Sequence, residues 1–175
     1  MKKILGLNGS ASKNSSNLAI LKMIGELGKV ELDIQIIDDL GELPPFKTEL
    51  TDNDVPEKIV EFRSQIENAD GVIICTPEYV FSIPSRLKNA IEWCVSTIVF
   101  SDKPTGIITA SAHGEKGHQE LKLIMETLQA KLTDETMLLI QGVKGKVNKE
   151  GSISNENTKA DLKKFVQSFS KLVDV

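Results

Sequence analysis

The chain has 175 residues, 40% of them hydrophobic and 26% charged, with a formal net charge of -4 at pH 7. Such a chain fits one soluble domain, residues 1–175, with enough length for a proper core. The acidic balance argues against a nucleic-acid partner held by phosphate neutralisation, and no apolar stretch approaches the roughly 20 residues that span a membrane.

The opening "MKKILGLNGS" has basic residues but too short an apolar run for a signal peptide. The cytoplasm is therefore the expected compartment. "KILGLN" (3–8) reads as a buried first strand. "SNLAILKMIGELG" (16–28) follows as a helix with Leu18, Leu21, Ile24 and Leu27 on one side and a glycine stop. "ELDIQIID" (31–38) alternates apolar and polar, as a half-exposed edge strand does. Residues 38–56 form a long surface connection with adjacent prolines. In the next helix, 56–69, Pro56 suits the first position and Ile59, Phe62 and Ile66 give the stripe.

"DGVIICT" (70–76) and "PTGIITA" (104–110) are apolar without alternation, the pattern of strands covered on both faces. Between them Leu87, Ala90, Ile91, Cys94 and Ile98 predict a helix. Leu121, Ile124, Met125 and Leu128 predict another. "TMLLI" (136–140) supplies a fifth strand and 141–158 a polar connection. Leu162, Phe165, Val166 and Phe169 mark the last helix. The alternation predicts an α/β fold with a parallel, doubly wound sheet in the order 2-1-3-4-5.

Cys75 and Cys94 both fall on apolar faces and read as buried structural thiols. Two cysteines do not make a disulfide framework. Neither a C-x-x-C pair nor a cysteine–histidine cluster is present, so no metal site is expected.

In a doubly wound sheet, ligands bind beyond the carboxyl ends of the strands, where strand order reverses. The loop after the first strand, "NGSASKNSSN" (8–17), reaches that place. It holds Ser10, Ser12, Ser15 and Ser16 with Asn14 and Asn17, and it opens a helix. Hydroxyls and free amides at a helix N-terminus can donate several hydrogen bonds to one anion, such as a terminal phosphate monoester. Helix capping alone also explains serine and asparagine here. The loop has neither a Walker pattern nor G-x-G-x-x-G.

The loop after the third strand, "TPEYVFSIPS" (76–85), borders the same crevice. Pro77 and Pro84 stiffen it. A rigid backbone can present fixed N–H and C=O groups to the edge of a planar heterocycle, with Tyr79 or Phe81 as an aromatic wall. Glu78 offers a carboxylate or only its main chain. His113, after the fourth strand, reaches the same edge, although a lone loop histidine is commonly solvated. His118 opens the next helix and is expected to be exposed.

The segments "GSASKNSSN" and "PEYVFSIPSRLKNAIEW" resemble the NADPH-dependent FMN reductase family, which shows G-S-x-R-x-x-S-x-N and P-E-Y-N-x-S-I-P-G-x-L-K-N-A-[ID]-[DE]-W at these places. "SAHGEKG" (111–117) stands where the family has a glycine-rich loop. The resemblance implies a flavodoxin-like three-layer sandwich that binds FMN. Ser10, Ser12, Ser15, Ser16 and Asn17 would surround the phosphate. Pro77, Glu78, Tyr79, Val80 and Phe81 would border the isoalloxazine ring, and Ser111, Ala112, His113 and Gly114 its other edge. Ser12 stands at the family's arginine, Val80 at its asparagine and Ser85 at its glycine.

The implied activity is hydride transfer from NADPH or NADH through FMN to a small-molecule acceptor, such as a quinone, azo compound, nitroaromatic, metal oxyanion or free flavin. No side chain is assigned as a catalytic acid or base. A homodimer or homotetramer is implied. The alternatives are a flavodoxin-like electron carrier that does not use NAD(P)H, and a sensor that has lost FMN. Modest acidity and 5% aromatic content weigh against the carrier.

Overall fold

Strands form where the sequence offers unbroken apolar runs, and helices where apolar residues recur every three or four positions. The computed structural model describes residues 1–148 and 151–174. Its elements are β1 (Lys2–Asn8), α1 (Ser16–Gly28), β2 (Leu32–Ile37), α2 (Glu57–Asn68), β3 (Gly71–Thr76), α3 (Ser85–Glu92), β4 (Thr105–Ser111), α4 (Glu115–Thr127), β5 (Met137–Gln141) and α5 (Glu156–Asp174). The sheet order is β2-β1-β3-β4-β5 and every pairing is parallel. This is the flavodoxin-like, doubly wound arrangement expected from the alternation of elements. Within the polar connection 141–158, Lys149 and Glu150 lie outside the described residues, as does Val175.

Side chains alternate across each strand and so divide the core in two. Ile4, Ile73, Cys75, Ile108 and Ile140 face α1 and α5, where Leu21, Ile24, Phe165 and Phe169 cover them. Leu5, Leu7, Val72, Ile74 and Ile107 face α2, α3 and α4, against Phe62, Ile66, Leu87, Ile91 and Leu121. Each such side chain contributes about 1.5–3 kcal/mol by leaving water. β3 and β4 are buried along their whole length, whereas β2 at the edge is not. Among the described residues no helix is long and apolar enough to cross a membrane.

Three expectations are corrected. Pro56 is the N-cap of α2, which begins at Glu57. Leu27 is 39% exposed. A strict three-residue spacing drifts about 60° per step in a helix of 3.6 residues per turn, so Leu27 faces away from Leu18. Finally, α3 stops at Glu92, and Ile98 is 84% exposed instead of extending the buried stripe. The Arg63 guanidinium, reaching from α2, donates to the carbonyl of Trp93, the C-cap residue of α3. Trp93 itself is fully buried, its Nε1–H donating to the Pro44 carbonyl at 2.8 Å and its ring meeting Phe46 edge-on.

Candidate functional site

The loops that follow β1, β3, β4 and β5 converge at the carboxyl edge of the sheet and enclose a cleft of about 680 Å³. Of the predicted site residues, the cleft gathers Ser10, Ser12, Ser15, Ser16, Asn17, Pro77, Tyr79, Ser111 and Ala112. Glu78, Val80, Phe81, His113 and Gly114 stand behind or beside it.

The first loop is held from below. The buried Asn8 side chain donates to the Asp38 carboxylate at 2.7 Å and accepts the Ser10 N–H at 3.2 Å. Gly9 passes so close to β3 that a Cβ there would lie 2.5 Å from Thr76 Oγ1. The Ser10 hydroxyl accepts the Ser12 N–H at 3.2 Å, which curls the loop. Ser15 is the N-cap of α1, its Oγ accepting the Leu18 N–H at 3.1 Å. Capping and ligand donation are compatible, because the Ser15 O–H proton is not used by the cap. Asn17 is buried. Its Nδ2–H donates to the Ala110 carbonyl and its Oδ1 accepts the Cys75 thiol, tying α1 to β3 and β4. Burial pushes the Cys75 thiol well above its ordinary pKa.

The second loop is a two-residue hairpin. Tyr79 and Ser82 exchange both backbone hydrogen bonds, at 2.9 and 3.1 Å, and Val80 and Phe81 form its tip with φ of 53° and 61°. That is the geometry of a type I′ turn, which favours asparagine and glycine. Val80 is 93% exposed and Phe81 73% exposed. The Glu120 carboxylate anchors the hairpin by accepting Ser82 Oγ–H at 2.7 Å and Ile83 N–H at 3.0 Å. Tyr79 turns back toward the first loop, its phenol 3.4 Å from Ser10 Oγ. Burial raises the Tyr79 pKa, but hydrogen bonds from Ser10, Ser12 and the Ala11 backbone, with the Arg86 charge, outweigh it and leave the phenol below its ordinary value.

Glu78 serves the third loop. Its carboxylate accepts Gly114 N–H at 3.2 Å and Gly117 N–H at 2.9 Å, and its carbonyl accepts the Ser111 hydroxyl at 3.4 Å. A carboxylate in the first turn of α4 complements the positive end of that helix. Gly114 opens α4 at φ 89°, where a side chain would be strained. His113 is exposed. His118 is half-buried rather than exposed, with Nδ1 2.9 Å from Thr109 Oγ1. Burial, then the Lys122 charge, lowers its pKa.

Sequence reasoning missed the wall formed after β5 by Gly142, Val143, Lys144 and Gly145. The one available signal was position, because this segment also follows the carboxyl end of a strand. The cleft lining includes serine hydroxyls, the first turn of α1 and two lysines. Pro77, Tyr79, Ala110 and Ala112 supply apolar surface to the same lining. This suits a molecule with an anionic end and a planar aromatic body.

The profile of the family described as NADPH-dependent FMN reductase matches residues 2–143. The chain is 31% identical over 172 residues to the NADH:(hydroxy)cinnamate reductase subunit CrdA of Vibrio ruber, covering 94% of this chain and 84% of that protein. It is 29% identical over 178 residues to a 2-hydroxy-1,4-benzoquinone reductase from a Burkholderia species, covering 98% and 96%. The solved structure of FerB, a flavoenzyme NAD(P)H:(acceptor) oxidoreductase from Paracoccus denitrificans, superposes with a TM-score of 0.87 at 26% identity, covering 99% of this chain and 98% of that one. The chain thus belongs to the NADPH-dependent FMN reductase family and is an oxidoreductase with FMN as its flavin and NAD(P)H as its donor.

Proposed function

We propose that the cleft holds FMN with its phosphate at the first turn of α1 and its ring along the Pro77–Tyr79 rim, and that the acceptor is a quinone-type small molecule. The contact of Ser10 with Tyr79 carries this reading, because it joins a ring of hydroxyl donors to an aromatic rim within one cleft. Ser10, Ser12, Ser15, Ser16 and Asn17 would receive the phosphate. Pro77, Tyr79, Ser111 and Ala112 would flank the ring, while Glu78 and Gly114 hold those flanks in place from behind. Bound FMN supplies the hydride chemistry between NAD(P)H and the acceptor.

The protein's contribution is to orient and shield. Among the described residues the lining offers no carboxylate or imidazole as an acid or base. The titratable side chains among its described residues are Tyr79, Lys13 and Lys144. The quinone assignment draws on the Burkholderia relative, whose name gives a benzoquinone as substrate. A homodimer or homotetramer in the cytoplasm is part of the same proposal.

The test uses the FMN-loaded protein without oxygen. Adding NADPH or NADH should bleach the oxidised flavin spectrum, and adding a benzoquinone should restore it faster than an azo dye, a nitroaromatic, chromate or free flavin does. A spectrum that persists after both nucleotides are added rejects the reading of the cleft. Bleaching followed by slow quinone reoxidation rejects only the choice of acceptor.

A further inference from the structure

The family match ends at residue 143, but the cleft wall continues through Lys144 and Gly145. Among the described residues Lys144 is one of two cations in the lining, and Lys13 on the first loop is the other. Among the described residues no carboxylate lines the cleft, although the chain has 25 acidic residues against 21 basic ones. The helix ends repeat this asymmetry. α2, α4 and α5 begin with Glu57, Glu115 and Glu156, and α4 also receives Glu78. α1 and α3 have no acidic residue in their first turns, and of these two α1 is the one whose first turn lines the cleft. At this edge of the sheet, α4 is compensated by the protein's own carboxylates, whereas α1 and α3 are not.

The segment carrying Lys144 is fixed to the rim. Gly142 N–H donates to the Ala112 carbonyl at 3.0 Å, joining the loops after β4 and β5. Gly145 and Lys146 N–H groups return to the Gly142 and Val143 carbonyls at 3.1 and 2.9 Å. The Val143 side chain is buried in the core beside α5. Among the described residues neither Lys13 nor Lys144 is in an ion pair.

We propose that Lys144, with Lys13 on the first loop, binds the terminal phosphate of FMN and makes the cleft select phosphorylated flavin over riboflavin. This rests on the reading of the cleft given above. A phosphate monoester carries about two negative charges near neutral pH, more than the roughly half charge of a helix end offsets. An ammonium on a flexible stem can reach it as a point charge from a rim. Riboflavin has the same ring and ribityl chain without that charge, so the lysines should not affect its binding.

The experiment titrates the FMN-free protein with FMN and with riboflavin, following flavin fluorescence, for wild type, Lys144→Met, Lys13→Met and Lys144→Arg. Losing one charged hydrogen bond predicts about a tenfold weaker FMN affinity for Lys144→Met, with riboflavin affinity unchanged. Lys144→Arg should restore most of the FMN affinity. FMN binding should also depend less on salt in Lys144→Met than in wild type. If Lys144→Met leaves the ratio of FMN to riboflavin affinity at the wild-type value, whether both fall together or neither falls, the proposal is overturned. If wild-type protein binds no FMN, the reading of the cleft fails together with it.

Discussion

The Ser10 hydroxyl and the Tyr79 phenol lie 3.4 Å apart, joining the loop after β1 to the hairpin after β3 across 69 residues of sequence. Because the chain contains one tyrosine, its ultraviolet titration reports this contact alone. Tyr79 should ionise below the ordinary value of 10.0, and Ser10→Ala should move the midpoint upward by removing one of the bonds that favour the phenolate. A lowered folded pKa means that the unfolded chain holds more protons between the two midpoints. Stability therefore rises with pH across that alkaline window and falls back as pH drops through the folded midpoint, with no effect near neutrality. An unchanged midpoint in Ser10→Ala would refute the coupling.

Ser15 has two separable duties under the proposed reading. As the N-cap of α1 it should cost about 1 kcal/mol of stability when replaced by alanine. As a phosphate donor it should also weaken FMN binding about tenfold or more. Ser15→Asp keeps the cap but places a negative charge beside the phosphate. Thermal unfolding of the FMN-free protein should show Ser15→Asp close to wild type and Ser15→Ala lower. FMN titration should show Ser15→Asp as the weakest binder of the three. Tight FMN binding by Ser15→Asp would remove the phosphate from this end of α1.

Glu78 braces two loops and one helix end. Glu78→Ala leaves two amides of α4 without their acceptor and should lower stability by about 2 kcal/mol, seen as an earlier midpoint in urea unfolding. Glu78→Gln keeps a single acceptor oxygen and should recover about half of that. Equal midpoints for Glu78→Ala and wild type would show that these bonds contribute nothing net.

Val80 sits at φ 53°, a conformation unfavourable for a β-branched residue, with its side chain almost fully in solvent. Asparagine tolerates that backbone far better. Val80→Asn should raise stability by about 1 kcal/mol in the same unfolding assay. A destabilised Val80→Asn would mean that the exposed valine makes a favourable contact in the assembled protein.

Most of the frame was legible because buried parallel strands leave a local signature, as "GVIICT" and "TGIITAS" do. The serine loop and the proline-stiffened loop were also legible, since composition and position coincide there. What stayed hidden depends on partners distant in sequence. Helical periodicity carried α3 on to Ile98, but Arg63 from α2 caps it at Trp93. The bracing by the Glu78 carboxylate was hidden because the amides it accepts, those of Gly114 and Gly117, follow the neighbouring strand. His118 looked exposed because its partner, Thr109, belongs to the neighbouring strand. The Gly142–Gly145 wall was missed because nothing in its composition marks it.

Asn17 couples the first turn of α1 to the Ala110 carbonyl and the Cys75 thiol from a buried position at the base of the cleft. A helix moored this way to two central strands cannot drift when its guest departs. The vacant and filled forms should then share one outline, so cofactor exchange needs no refolding step and meets little entropic resistance on return.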